Sequence, residues 1–161
     1  MKKIFAAAFL VVMMCATTAF AAWGQIYTDQ NDNQIYADPD NVQVTMKSGD
    51  KAEFNAKYRM VYTERGRKTL IDWYRDYSIV PAGIENLDND LTTIKFKRDG
   101  NKRYYAIVER IYYTAGGSAI EGMHFYEPNA EWKEIPVGSV VDVEYYDAVL
   151  IVDGKKYDAN Y

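Results

Sequence analysis

Residues 52–63 read AEFNAKYRMVYT. Phe54, Ala56, Tyr58, Met60 and Tyr62 alternate with Glu53, Asn55, Lys57, Arg59 and, past the one apolar exception Val61, Thr63. Side chains of a strand point to opposite faces with a period of two, so this stretch predicts a strand with one buried and one wet face. The flanking chain supplies its neighbours. Val42–Lys47 alternates briefly, and Ser48-Gly49-Asp50 is a hairpin loop that makes it an antiparallel partner of Ala52–Thr63. Leu91–Arg98 alternates again. Asp99-Gly100-Asn101 is a strong hairpin turn into Lys102–Thr114. That segment is apolar on both faces, with Tyr105, Ile107, Ile111 and Tyr113 on one and Tyr104, Ala106, Val108 and Tyr112 on the other. Strict alternation therefore predicts a central strand covered on each side. Gly116-Gly117 is a turn, and Ala119–Tyr126 a further strand.

The period changes after Thr63. Leu70, Trp73, Tyr74 and Tyr77 fall at i, i+3, i+4 and i+7, one helical stripe, which predicts a helix over Arg67–Tyr77. Pro81 and Gly83 mark the loop beyond it, and Ile84–Asp90 reads as irregular. Before the central strand, Trp23–Tyr27 and Gln34–Tyr36 are short strand candidates on either side of the turn-rich Thr28–Asn33. Near the end, Ser139 followed by Asp142 is an N-cap signal for a helix over Val140–Tyr146, while two valines and two tyrosines there also permit a strand. Val149–Val152, Asp153-Gly154 and Lys155–Tyr157 read as a final hairpin. The fold class expected is α+β: an antiparallel sheet of about six strands with one main helix, Arg67–Tyr77, packed on a face.

Residues 1–21 carry the pattern of a secretory signal: Lys2 and Lys3, an uncharged apolar run Ile4–Met14, and the small-x-small site Ala19-Phe20-Ala21. Its removal would leave 140 of the 161 residues as one domain, 22–161, starting at Ala22. Cys15, the one cysteine, leaves with it, so the mature chain would hold together by its core without disulfides. The 19 Lys and Arg fall to 17 against 23 Asp and Glu, a net charge of −6. That balance argues against nucleic acid or anionic lipid as a partner. No second apolar run is long enough to span a bilayer, so an exported protein of the periplasm or cell surface is expected.

Several polar residues stand at spacings that bear on chemistry. Asp29, Asn31, Asn33 and Asp40 stand at positions 1, 3, 5 and 12 of a calcium-loop spacing, but Gln34 occupies the position where the sharp turn needs glycine, which favours a polar hairpin turn. His124 is the one histidine; a general base needs an orienting partner and a nucleophile, and Glu121 and Glu127 are neighbours only in sequence. Asp88-Asn89-Asp90 and Asp38–Asn41 read as solvated acidic turns. No catalytic, metal or cofactor constellation is expected. The fifteen tyrosines remain. Tyr104 and Tyr105, Tyr112 and Tyr113, and Tyr145 and Tyr146 are adjacent pairs, so one of each should face away from the main core. These six are the candidate binding residues, because tyrosine is enriched at interfaces.

Three stretches resemble the bacterial surface-adhesin protein E family: Trp23 with Ile26-Tyr27, Ile35-Tyr36-Ala37-Asp38 and Val42; Tyr58 with Val61-Tyr62 and Ile111-Tyr112-Tyr113, Gly117 and Ile120; and Trp132 with Ile135-Pro136, Gly138 and Ser139. The resemblance implies an antiparallel sheet with a packed helix, no enzymatic activity, attachment to host extracellular matrix proteins, and a possible dimer. Members often carry cysteines in the second half, where this chain has none, and Val149–Tyr161 lies beyond the matched stretches. Two readings follow: a surface or envelope binding module whose tyrosine-rich face takes a protein partner, and a periplasmic assembly factor pairing through a sheet edge.

Overall fold

The computed structural model describes residues 23–154. The signal stretch 1–21 with Cys15, and the expected strand Lys155–Tyr157, lie outside the described residues. Eight strands, all paired antiparallel, form one sheet: β1 (Gly24–Thr28), β2 (Gln34–Ala37), β3 (Gln43–Ser48), β4 (Lys51–Val61), β5 (Leu87–Asp99), β6 (Lys102–Thr114), β7 (Ala119–Tyr126) and β8 (Lys133–Glu134). Two helices complete the fold, α1 (Glu64–Asp76) and α2 (Val140–Val152). The architecture is α+β, as expected, with eight strands where about six were expected and, beside the one main helix expected, a second where Val140–Tyr146 was open between helix and strand. The main path through the sheet is β1-β2-β4-β5-β6-β7. One edge of β4 serves two partners, β3 along Lys51–Asn55 and β2 along Tyr58–Val61. Between them the chain steps over a short 3₁₀ turn, Pro39–Asn41, capped by the Asp38 carboxylate. β8 adds two residues beside Tyr104 and Tyr105 of β6.

β4 alternates as its sequence predicts. Ala52, Phe54, Ala56 and Tyr58 are buried, and across the ladder Phe54 faces Phe96 and Ala56 faces Ile94. Their rings pack with Tyr145 of α2, whose centroid lies 5.9 Å from Phe54 and 5.7 Å from Phe96. α2 buries Tyr145, Ala148, Val149 and Val152 in this main cluster. A helix that is apolar nearly all round belongs inside, which is why VVDVEYYDAVLIV shows no clean stripe and admitted a strand reading. The expected hairpin at Val149–Val152 is overturned: those residues are the last turns of α2. Ser139 caps α2 by accepting from Asp142 N.

α1 starts three residues earlier than the expected helix Arg67–Tyr77, at Glu64, because Thr63 caps it by accepting from Gly66 N at 3.0 Å. Its Leu70, Ile71 and Tyr74 join Ile84, Leu87, Tyr112, Ile120 and Met123 in a second, smaller cluster. Both helices lie on one face of the sheet. The β4–β5 ladder runs without a bulge, so Met60 and Asp90 share the face of Phe54 and Phe96, and Asp90 opposes the buried Tyr112. Among the described residues no helix covers the other face of β6; Ala106 and Val108 are nonetheless buried, and the segment with Pro128 and Trp132 reaches over that side through Lys95 and Lys97.

β6 also carries a β-bulge. Ile94 pairs with Ile107 and Thr93 with Glu109, which leaves Val108 as an extra residue. An extra residue shifts the side-chain phase of everything after it. Tyr105 and Ile107 point to the helix side, and beyond Val108 it is Arg110 and Tyr112, not Ile111 and Tyr113, that do so.

Candidate functional site

The phase shift in β6 builds the floor of a cleft. Ile107, Arg110 and Tyr112 from β6 and Phe125 from β7 form the floor; Leu70, Trp73 and Tyr74 from α1 form the wall. The β1–β2 turn closes one end with Asn31 and Asn33. The volume is about 500 Å³, within the range that holds one small ligand. The lip is aromatic and open: Trp73 is 52% exposed and Phe125 50%. Tyr77 extends the lip, its ring 4.7 Å from that of Trp73.

A relay of polar groups lies beneath. Arg110 Nε donates to Thr92 Oγ1 at 2.8 Å, Thr92 Oγ1 donates to Asp90 Oδ1 at 2.8 Å, and Tyr62 Oη donates to Asp90 Oδ2 at 2.7 Å. Thr92 therefore stands between the guanidinium and the carboxylate. No carboxylate oxygen among the described residues lies within 4.0 Å of Arg110. Burial works against the Arg110 charge, but Asp90, Tyr112 and Tyr62 around it outweigh that loss, so its affinity for the proton is raised. Burial raises the pKa of Asp90, opposed by Arg110 and by the bonds from Tyr62 and Thr92. Behind the relay, Glu144 of α2 is pushed up to about 8, by burial first, with Asp90 and Asp147 adding to it and Arg110 opposing. Tyr58 Oη donates to the Glu144 carbonyl. Burial lifts Asp147 to about 6, and its Oδ2 has no hydrogen-bond partner.

The rim is held from the chain ahead of α1. Asp29 Oδ1 accepts from Asn31 N at 2.8 Å and from Asn33 N at 2.9 Å, and its Oδ2 from Asn33 Nδ2 at 3.0 Å. The buried Asn33 then accepts from Thr63 N at 3.0 Å, and Thr63 Oγ1 donates to the Asn31 carbonyl at 2.7 Å. The calcium-spaced residues Asp29 and Asn33 thus serve as a turn that locks the start of α1. Gly66 has no room for a side chain: a Cβ there would meet Asn33 Oδ1 at 1.8 Å.

The six candidate tyrosines do not form one surface. Tyr112 floors the cleft, and Tyr145 is buried in the main core. Tyr105 packs beside that core. Tyr104 and Tyr113 are half-buried on the opposite face of β6. Tyr146 is exposed on α2, 5.0 Å from the Arg103 guanidinium. His124 sits on the exposed face with Nε2 3.1 Å from Glu109 Oε1, away from the cleft. The reading of Asp88–Asp90 as a solvated turn is overturned: these residues belong to β5, and Asp90 is 2% exposed. Sequence reasoning missed Arg110, Asp90 and Thr92. A charge inside the apolar run YYAIVERIYY was the available signal, since a charged residue on a buried face needs a reason. No helix among the described residues is long and apolar enough to cross a membrane. Comparisons with family models, with curated proteins and with solved structures give no match.

Proposed function

We propose that the chain is an exported, non-enzymatic binding module that engages a protein partner of the host matrix or the cell envelope through the aromatic lip of the cleft. The observation that carries this reading is the lip itself: Trp73, Tyr77 and Phe125 are half or more exposed, and exposed Ile79 and Val80 follow in the chain. Large exposed aromatics around a concavity are the usual anchors of a binding surface. The resemblance to the surface-adhesin protein E family agrees with such a role and suggests matrix proteins as the first partners to try. On this reading the exposed lip, rather than the tyrosine pairs, is the binding surface. The test measures binding of the purified chain to immobilised matrix proteins and to envelope extracts, for the native protein and for Trp73→Ala and Tyr77→Ala. Loss of capture in both variants, with unchanged folding, supports the reading; capture that ignores both counts against it.

A second reading rests on a different observation. β1 and β7 have no further strand beside them among the described residues, and a sheet edge with free backbone groups can accept a strand from a partner or from a second copy. Proline at an exposed position of each edge, Gln25 in β1 and Glu121 in β7 away from the lip residue Phe125, would weaken an interaction of this kind and leave capture by the lip intact. Protease treatment of intact cells separates a surface from a periplasmic setting for either reading, once the purified chain is shown to be digestible.

A further inference from the structure

The lip does not account for the bottom of the cleft. Arg110 sits there inside an acidic protein, with its Nε fixed by Thr92 and no carboxylate within ion-pair distance among the described residues. Lining the same cleft are Ile107, Tyr112 and Phe125 of the sheet and Leu70, Trp73 and Tyr74 of α1. Nε is held by Thr92 and the Tyr112 hydroxyl lies beside the guanidinium, while the planar group still has further N–H donors of the kind that match a carboxylate. Asp90 offsets the charge only across Thr92, so the guanidinium can take a further anionic partner from the cleft.

We infer that the cleft is a small-molecule site for a hydrophobic carboxylate, with the anionic group on Arg110 and an aromatic or aliphatic body between Trp73 and Phe125. This goes beyond the protein-binding reading and does not depend on it. The Thr92–Asp90–Tyr62 relay supports the site by aiming the guanidinium: Asp90, through Thr92, holds the Nε edge away from the opening. The volume of about 500 Å³ suits one such molecule, and the open lip lets a longer body project outward. Phosphate-rich ligands fit less well, since one arginine with apolar walls offers nothing to a second or third charge.

The test is a charge series on the native chain, read by calorimetry. The probes are 2-naphthylacetate, 2-naphthylethanol and 2-naphthylethylammonium, with decanoate and decanol run in parallel to distinguish an aromatic from an aliphatic body. In at least one series the carboxylate should bind about tenfold or more tightly than its alcohol, the advantage of a charge-assisted pair, and the ammonium should bind weakest. Trp73→Ala, at an exposed position, should weaken carboxylate and alcohol alike. Arg110→Lys should reduce the carboxylate preference, with circular dichroism checking its fold. Equal binding of acid and alcohol in both series, or no binding of either carboxylate at millimolar concentration, overturns the site. Capture of matrix or envelope proteins is a separate readout, so the two readings fail independently.

Discussion

Gly66 shows how a single missing atom can decide a local structure. Replacing a helical glycine with alanine ordinarily gains about 1 kcal/mol in helix propensity. Here the added Cβ would fall 1.8 Å from Asn33 Oδ1. Asn33 cannot give way cheaply, because it is bonded to Asp29 and to Thr63 N. Overpacking of this kind costs about 1–3 kcal/mol before those bonds are counted. Gly66→Ala should therefore lower the urea midpoint despite its better propensity, and Asn33→Ala in the same chain should recover part of the loss. A single variant that gains stability would show that Asn33 relaxes freely. The buried carboxylates give a second expectation. Glu144 holds its proton up to about pH 8, against an ordinary value of 4.5, with burial as the main cause. Between those values the native chain keeps a proton that the unfolded chain has lost. Unfolding releases it, so stability falls as pH rises across this window, by up to about 1.4 kcal/mol per unit for one group. Asp147, lifted to about 6, adds in the same direction at the lower end. Chemical denaturation at pH 6, 7 and 8 should show this decline, and Glu144→Gln should flatten it. A native protein equally stable across the range would contradict the burial of Glu144.

At the scale of the element, β6 carries the argument. Lys102–Thr114 holds two half-strands of opposite phase joined at Val108. Bulges commonly re-aim side chains beside functional sites. Deleting Val108 should leave Ile107 opposite Ile94 and Glu109 opposite Thr93 in a regular ladder, so Arg110 and Tyr112 keep facing α1. The expected loss is that of one buried valine side chain, about 1.5–3 kcal/mol. The urea midpoint should fall accordingly, and 2-naphthylacetate binding should persist in the folded fraction. Loss of binding by a folded deletion variant would show that the bulge itself, and not only the register it sets, shapes the cleft. The bulge also explains which part of the site was readable. The apolar content of YYAIVERIYY pointed to a buried strand, but alternation counted from Tyr104 assigned Tyr112 and Tyr113 to the wrong faces, and no local signal marks where an extra residue will fall.

Across the whole molecule, the two helices share a face but not a degree of burial. α2 buries seven of its residues, whereas α1 buries Gly66 and Tyr74. The smaller cluster beneath α1 is also the one that borders the cleft. Elements with few buried contacts open at lower free energy than the core. Amide hydrogen exchange should find α1 opening before β4, β5 and β6, and a carboxylate bound in the cleft should slow it selectively. Exchange in α1 as slow as in β5 would show that the two helices open together.

By itself the sequence determined the pattern of β4, its hairpin with β3, the turn at Gly100, the strand Ala119–Tyr126 and the stripe of α1, because each rests on the period of a local run. It left α2 ambiguous, since a helix buried on nearly all sides has no polar face to reveal its period. Tertiary structure alone decided that both helices occupy one face, that Asp90 is buried, and that the bulge at Val108 turns Arg110 into an apolar cleft. Those outcomes depend on which strand lies beside which and in what register, and register is set by contacts between residues far apart in the chain.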